Sequence, residues 1–178
     1  MLLPLTEAFA GFIATPGLQA VPADALPTIR NGFIDTVAVL LAGRDEAVTQ
    51  AARKLAARRR GEPEARVLLG TQRLLAADAA FVNAVAAHAL DYDDMALNGH
   101  PSVVLVPALL AAGEPLRATD AALLRAYLVG YEVWAELAAR EPDALHGKGW
   151  HPTIVTGTVA AAAAVAHLAG LNAASAAH

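Results

Sequence analysis

Between His88 and His100 the chain gathers most of its reactive side chains: His88, Asp91, Asp93, Asp94 and His100. Three carboxylates within four residues repel one another, so at least one is expected to hold its proton unusually tightly and to serve as an acid or base. On a helix, His88 and Asp91 stand three apart and share a face. The plainer reading is a solvated helix end with His88 capping carbonyls. Acids at a helix C-terminus oppose the macrodipole, however, which makes that reading less comfortable. A magnesium site of the DDxxD kind would put carboxylates on one helical face. Here Asp93-Asp94 is followed by Met95-Ala96-Leu97 and no second acidic cluster comes after it, so no metal is expected.

A second pattern is repeated. His100-Pro101-Ser102 and His151-Pro152-Thr153 each place an imidazole, a proline and a hydroxyl where a loop meets a helix. Proline suits the first helical turn, whose N–H groups have no intrahelical partner, and those same groups attract carboxylates. Ser102 and Thr153 are thus candidate substrate-binding residues. In Gly147-Lys148-Gly149-Trp150, Lys148 sits between glycines and is a further candidate, although P-loop spacing is absent. His146 and His151 flank this loop without the i, i+4 spacing of a helical zinc pair. His167, inside an alanine-rich segment, reads as a hydrogen-bonded core histidine. Ser102 has no G-x-S-x-G context.

These residues must be positioned by helices. The 178 residues include 45 Ala and 25 Leu, both strong helix formers, and little period-2 alternation is present. The expected helices cover Leu5–Ala14, ended by Thr15-Pro16-Gly17; Ala23–Leu41, ended by Gly43; Asp45–Arg60; Ala76–Asp91; Pro101 to Gly113; Thr119, as N-cap, to Arg140; and Pro152 to Gly170. Ala65–Leu69 is expected to be extended. Small residues Gly157, Ala161 and Ala164 allow close helix approach. The fold class is therefore all-α, a single multi-helix domain over residues 1–178. Hydrophobic types make up 56% and charged types 17%, which excludes a disordered chain. A net charge of −4 with only two lysines argues against nucleic-acid binding. The absence of cysteine leaves no thiolate for a metal, cluster or nucleophile. Pro152–His178 is long enough to span a bilayer but its apolar content is mostly alanine, so a buried helix is expected and no membrane partner. The N-terminal stretch lacks a basic n-region, and the compartment expected is cytoplasmic.

The run from Ala79 to Asp94, AAFVNAVAAHALDYDD, resembles the AAxxNGxxxHxLDFDD segment of the MmgE/PrpD family. His100-Pro101-Ser102 with Val106-Pro107-Ala108-Leu109-Leu110-Ala111, then Gly130-Tyr131-Glu132, then Gly149-Trp150-His151-Pro152-Thr153, resemble the family's HPS, PALLA, GYE and GWHPT motifs in the same order. The resemblance implies an N-terminal all-helical domain that meets a separate α/β domain at the active site. It carries the first Asp of DxDD, the following Thr, the His of HPS and the His of GWH onto Asp91, Met95, His100 and His151. Met95 departs from the pattern, because a thioether cannot donate a hydrogen bond to a substrate carboxylate. A family lysine and tyrosine would fall beyond His178.

The activity that the resemblance implies is that of a lyase, dehydrating or decarboxylating a small tricarboxylate such as 2-methylcitrate or cis-aconitate. Asp91, His100 and His151 would be catalytic and no metal or cofactor would be needed. Isomerase or epimerase chemistry is an alternative within the family. A silent helical association module, a split-enzyme half or a degenerate paralogue is another. The chain is expected to be inactive by itself and to form a homodimer or larger assembly.

Overall fold

The computed structural model describes residues 4–15, 21–68, 70–141 and 145–178, so the expected stop at Pro16-Gly17 and the expected extended residue Leu69 lie outside the described residues. The described residues form eight α-helices: α1 (Leu5–Ile13), α2 (Leu26–Gly43), α3 (Ala47–Ala56), α4 (Ala76–His88), α5 (Pro101–Leu116), α6 (Asp120–Arg140), α7 (Pro152–Leu168) and α8 (Ala173–Ala176). A two-residue antiparallel ladder pairs β1 (Ala65–Arg66) with β2 (Arg73–Leu74). The fold is all-α, and none of the described helices is long and apolar enough to cross a membrane.

Helix α5 is the central rod, packed against α4, α6 and α7. Pro107 within it cannot donate to the preceding turn. The helix nevertheless continues, held on several sides by its neighbours. Leu105, Val106 and Leu109 from α5 meet Trp134 and Tyr127 from α6 and Ala160 and Ala164 from α7 in the main core. Each fully buried leucine contributes about 1.5–3 kcal/mol. Helices α6 and α7 come close because their facing residues are small. A Cβ on Gly130 would lie 2.9 Å from Ala164 Cβ, and one on Gly157 would lie 3.0 Å from the Trp134 ring.

Of two expected helix stops, one stands and one shifts. Helix α2 ends at Gly43 as expected, whereas Gly113 lies inside α5. A Cβ on Gly43 would collide with the Ala86 carbonyl, and one on Gly113 would meet Leu123 at 2.9 Å. These glycines admit a neighbouring chain segment. The stop of α5 comes instead at Arg117, in the left-handed region with φ 52°, where Ala118 N–H donates to Gly113 O in a Schellman closure. Helix α3 ends at Ala56, short of Arg58–Arg60, and Arg59 pairs with Asp78 on α4. Asn83 on α4 ties the hairpin down, accepting from Leu68 N–H and donating to Arg66 O. Thr119 caps α6 as expected, accepting from Ala122 N–H.

Candidate active site

The segment joining α4 to α5 folds back on itself. Helix α4 stops at His88, three residues earlier than expected, and Asp91 turns the chain with φ 49°. His88 and Asp91 therefore do not share a helical face. The chain then makes a tight turn in which Ala96 and Gly99 exchange both backbone hydrogen bonds, with Leu97 and Asn98 at φ 51° and 65°. That is the geometry of a type I′ turn, natural for Asn98 and costly for Leu97 by roughly 1–2 kcal/mol. Trp134 on α6 braces the turn by donating from Nε1 to Leu97 O. Gly99 is needed because a Cβ there would press to 2.8 Å from the Trp134 ring.

This reversal brings the polar residues together. Asp93 is fully buried, and its Oδ1 accepts from His88 Nδ1 at 2.8 Å. Its Oδ2 lies 3.0 Å from His100 Nδ1, and His100 Nε2 lies 3.6 Å from Asp91 Oδ1. The His88 and His100 rings are 4.7 Å apart, centre to centre. His88 thus pairs with a carboxylate instead of capping carbonyls. One potential ligand atom from each of His88, Asp91, Asp93 and His100 lies within 4.8 Å of the others, close enough for a single cation. Asp91 stands at the open side, 79% exposed, whereas the His100 side chain is 15% exposed.

Behind this cluster is a second network. Ser102 Oγ donates to Asp94 Oδ2 at 2.6 Å and lies 2.7 Å from the Tyr127 hydroxyl, while Asp94 N–H donates to Asp35 on α2. Burial pushes the Asp94 carboxyl above its usual range, against the pull of two hydrogen bonds from Ser102. The charges of Asp35 and Asp93 add to the push. One of the three clustered acids is therefore raised, chiefly by desolvation and only secondarily by repulsion. Tyr127 and Tyr131 are also pushed up, first by burial and then, for Tyr127, by Asp94 against the Ser102 hydrogen bond. Tyr127 carried no signal in the sequence beyond its place on the apolar face of α6.

The two helix starts adjoin. Thr153 Oγ1 accepts from the His100 backbone N–H at 3.1 Å, so the first turn of α7 supports the first residue of the other motif. His151 precedes α7, exposed, with its ring 5.6 Å from that of His146. Asp91 and His100 are brought together; the motif of His151 is tied to them through the Thr153 hydroxyl, while the His151 ring itself lies against His146. Ser102 and Thr153 are buried with their hydroxyls engaged, Lys148 pairs with Glu141, and Met95 is exposed. His167 is a core histidine, its Nδ1 2.8 Å from Ile13 O. A separate cleft of about 500 Å³ between Arg58–Arg60, Arg73 and Asp78 shares no residue with the site.

Fold and site define an all-helical domain in which two imidazoles and two carboxylates cluster between the end of α4 and the start of α5, next to the start of α7. The chain belongs to the MmgE/PrpD family, whose N-terminal domain matches residues 7–178. It is similar to human (Homo sapiens) cis-aconitate decarboxylase, 30% identical over 187 residues that cover 97% of this chain and 37% of that protein. It is also similar to mouse (Mus musculus) cis-aconitate decarboxylase, 39% identical over 100 residues that cover 53% of this chain and 20% of that protein. The chain thus spans 37% of the length of its human relative.

Proposed function

We propose that this chain forms the helical side of the active site of a lyase that acts on a small tricarboxylate, by dehydration or decarboxylation, as with 2-methylcitrate or cis-aconitate. The observation that carries the reading is the placing of His100 Nε2 beside Asp91 at the start of α5, with the start of α7 hydrogen-bonded to the same residue. Helix starts draw carboxylates, and an imidazole next to a carboxylate can move a proton at carbon. In this reading Asp91, His100 and His151 face the substrate, with Lys148 and Met95 on the exposed rim. Ser102 and Thr153 hold the two helix starts from behind. The scheme calls on no metal or cofactor.

The rim is wide open: Asp91, Met95, Trp150 and His151 are all exposed. Water is not excluded there, so these 178 residues are proposed to bind tricarboxylates without turning them over. The exposed Tyr92, Met95, Trp150 and Ile154 flank the same two helix starts, and apolar exposure of this kind favours covering by a further surface, in a dimer or larger assembly. The test is an NMR titration of the chain with cis-aconitate and citrate. Saturable shifts at the imidazoles of His100 and His151, without product, are expected. Unmoved imidazoles at millimolar ligand would sink the lyase reading, and robust turnover would sink the proposal of an incomplete site.

A further inference from the structure

Asp93 and His88 do not meet the substrate in that scheme, yet the buried Asp93 side chain contacts both rings of the cluster. We infer that Asp93 is a positioning residue that holds His88 and His100 as one unit, each by its Nδ1, leaving both Nε2 atoms as the working nitrogens. Its carboxylate is fully buried and divides its oxygens between the rings, Oδ1 to His88 Nδ1 at 2.8 Å and Oδ2 to His100 Nδ1 at 3.0 Å. The first contact is an aligned hydrogen bond. The second is short but off-line, so Asp93 Oδ2 and His100 Nδ1 are both buried without an aligned partner. They lie 3.0 Å apart, and a small rotation of the imidazole closes the bond that burial demands.

An ionised carboxylate only accepts, so the ring nitrogen that faces it carries the hydrogen. In an uncharged ring the opposite nitrogen is then bare and basic. His100 Nε2 accordingly points to the open side, 3.6 Å from Asp91. His88, its ring centre 4.7 Å from that of His100 and its side chain 32% exposed, offers a second such nitrogen on the neighbouring ring. Two nitrogens can divide the work of an elimination. One Nε2 takes the proton from carbon while the other, already protonated, gives its proton to the departing hydroxyl. The carbon–hydrogen and carbon–oxygen bonds break, a carbon–carbon double bond forms, and water leaves, with no oxidant or reductant. This use of the pair rests on the lyase reading; the tautomers do not.

The experiment is a two-bond ¹H–¹⁵N correlation spectrum of the chain with ¹⁵N-labelled histidine, recorded at alkaline pH. Both His88 and His100 are expected to show the Nδ1–H pattern. In Asp93→Asn the carboxamide accepts through one oxygen only, so at least one ring should pass to the Nε2–H pattern. A native chain in which either ring is Nε2–H overturns the inference, as does a folded Asp93→Asn variant with both patterns unchanged. If that variant does not fold, the native spectrum alone decides. Zinc and manganese ions serve as a second probe. Stoichiometric binding that broadens or shifts both rings and is lost in His88→Ala overturns the inference in favour of a cation site on the same four residues, whereas no binding supports it. The spectrum needs no substrate. Failure of the tricarboxylate titration with both Nδ1–H patterns intact therefore removes the lyase reading and leaves the positioning role standing.

Discussion

His100-Pro101-Ser102 and His151-Pro152-Thr153 are nearly the same three residues at the same place on a helix, and the fold treats them oppositely. At α5 the imidazole is drawn in between two carboxylates and the hydroxyl behind it is buried against Asp94 and Tyr127. At α7 the imidazole stays in solvent against His146, and the hydroxyl turns away to hold the backbone of His100. A shared local signature sets where a helix begins. The surroundings then decide which imidazole is enclosed by carboxylates and which stays in solvent.

The largest effect that would break this contrast comes from Trp134, which braces the turn before α5 and lies against Gly157 of α7. Trp134→Ala should cost about 3–5 kcal/mol in thermal or urea unfolding and should release both helix starts. A loss below about 1 kcal/mol would show that the two are positioned independently. Next comes the pair of imidazoles in binding. His100→Gln should weaken citrate binding by about 1.5–3 kcal/mol, the range for hydrogen bonds to a charged group. His151→Gln, at an exposed site, should cost under about 1 kcal/mol. Titration calorimetry that gives the reverse order would invert the assignment of centre and support.

Thr153→Ala sharpens the same contrast from the other side. It leaves the part-buried His100 N–H without its acceptor, at a cost of about 1–3 kcal/mol. The amide resonance of His100 should move, although the two residues are 53 positions apart. A variant as stable as the parent, with that resonance unmoved, would separate the motifs. The smallest expected effect concerns Asp94. Its folded value is raised, so the folded chain binds this proton more tightly than the unfolded chain does. Its contribution to stability is therefore greatest below the unfolded value of 3.8 and is lost as pH rises through the folded value. Asp94→Asn keeps an acceptor for Ser102 and removes that slope. The difference in melting temperature between variant and parent should change in the variant's favour as pH rises through this window, and a constant difference would refute it.

Helix starts were legible because proline and threonine act within one turn: Pro101, Thr119 and Pro152 stand where the sequence places them. Helix stops were less so. Gly43 does end α2, but Gly113 carries the residue type of a stop and serves instead as a point of close approach, which depends on what lies across from it. Asp91 was legible as a member of the polar cluster but not as the residue that turns the chain. His88 could be read only against its helical neighbours, while its actual partner, Asp93, is reached by a left-handed step outside the helix.

From the sequence alone came the all-helical class, the family, and the stretch from His88 to His100 as the densest group of polar residues. Composition, capping and short motifs act over a few residues and need no knowledge of the rest of the chain. Tertiary structure alone decided that Asp93 is buried between two rings, that Ser102 and Tyr127 enclose Asp94, and that one His-Pro motif supports the other. Those outcomes depend on which groups lose water and which find a partner. Desolvation and pairing are set by residues far away in the chain, 59 positions in the case of Asp35 and Asp94, and no local pattern encodes them.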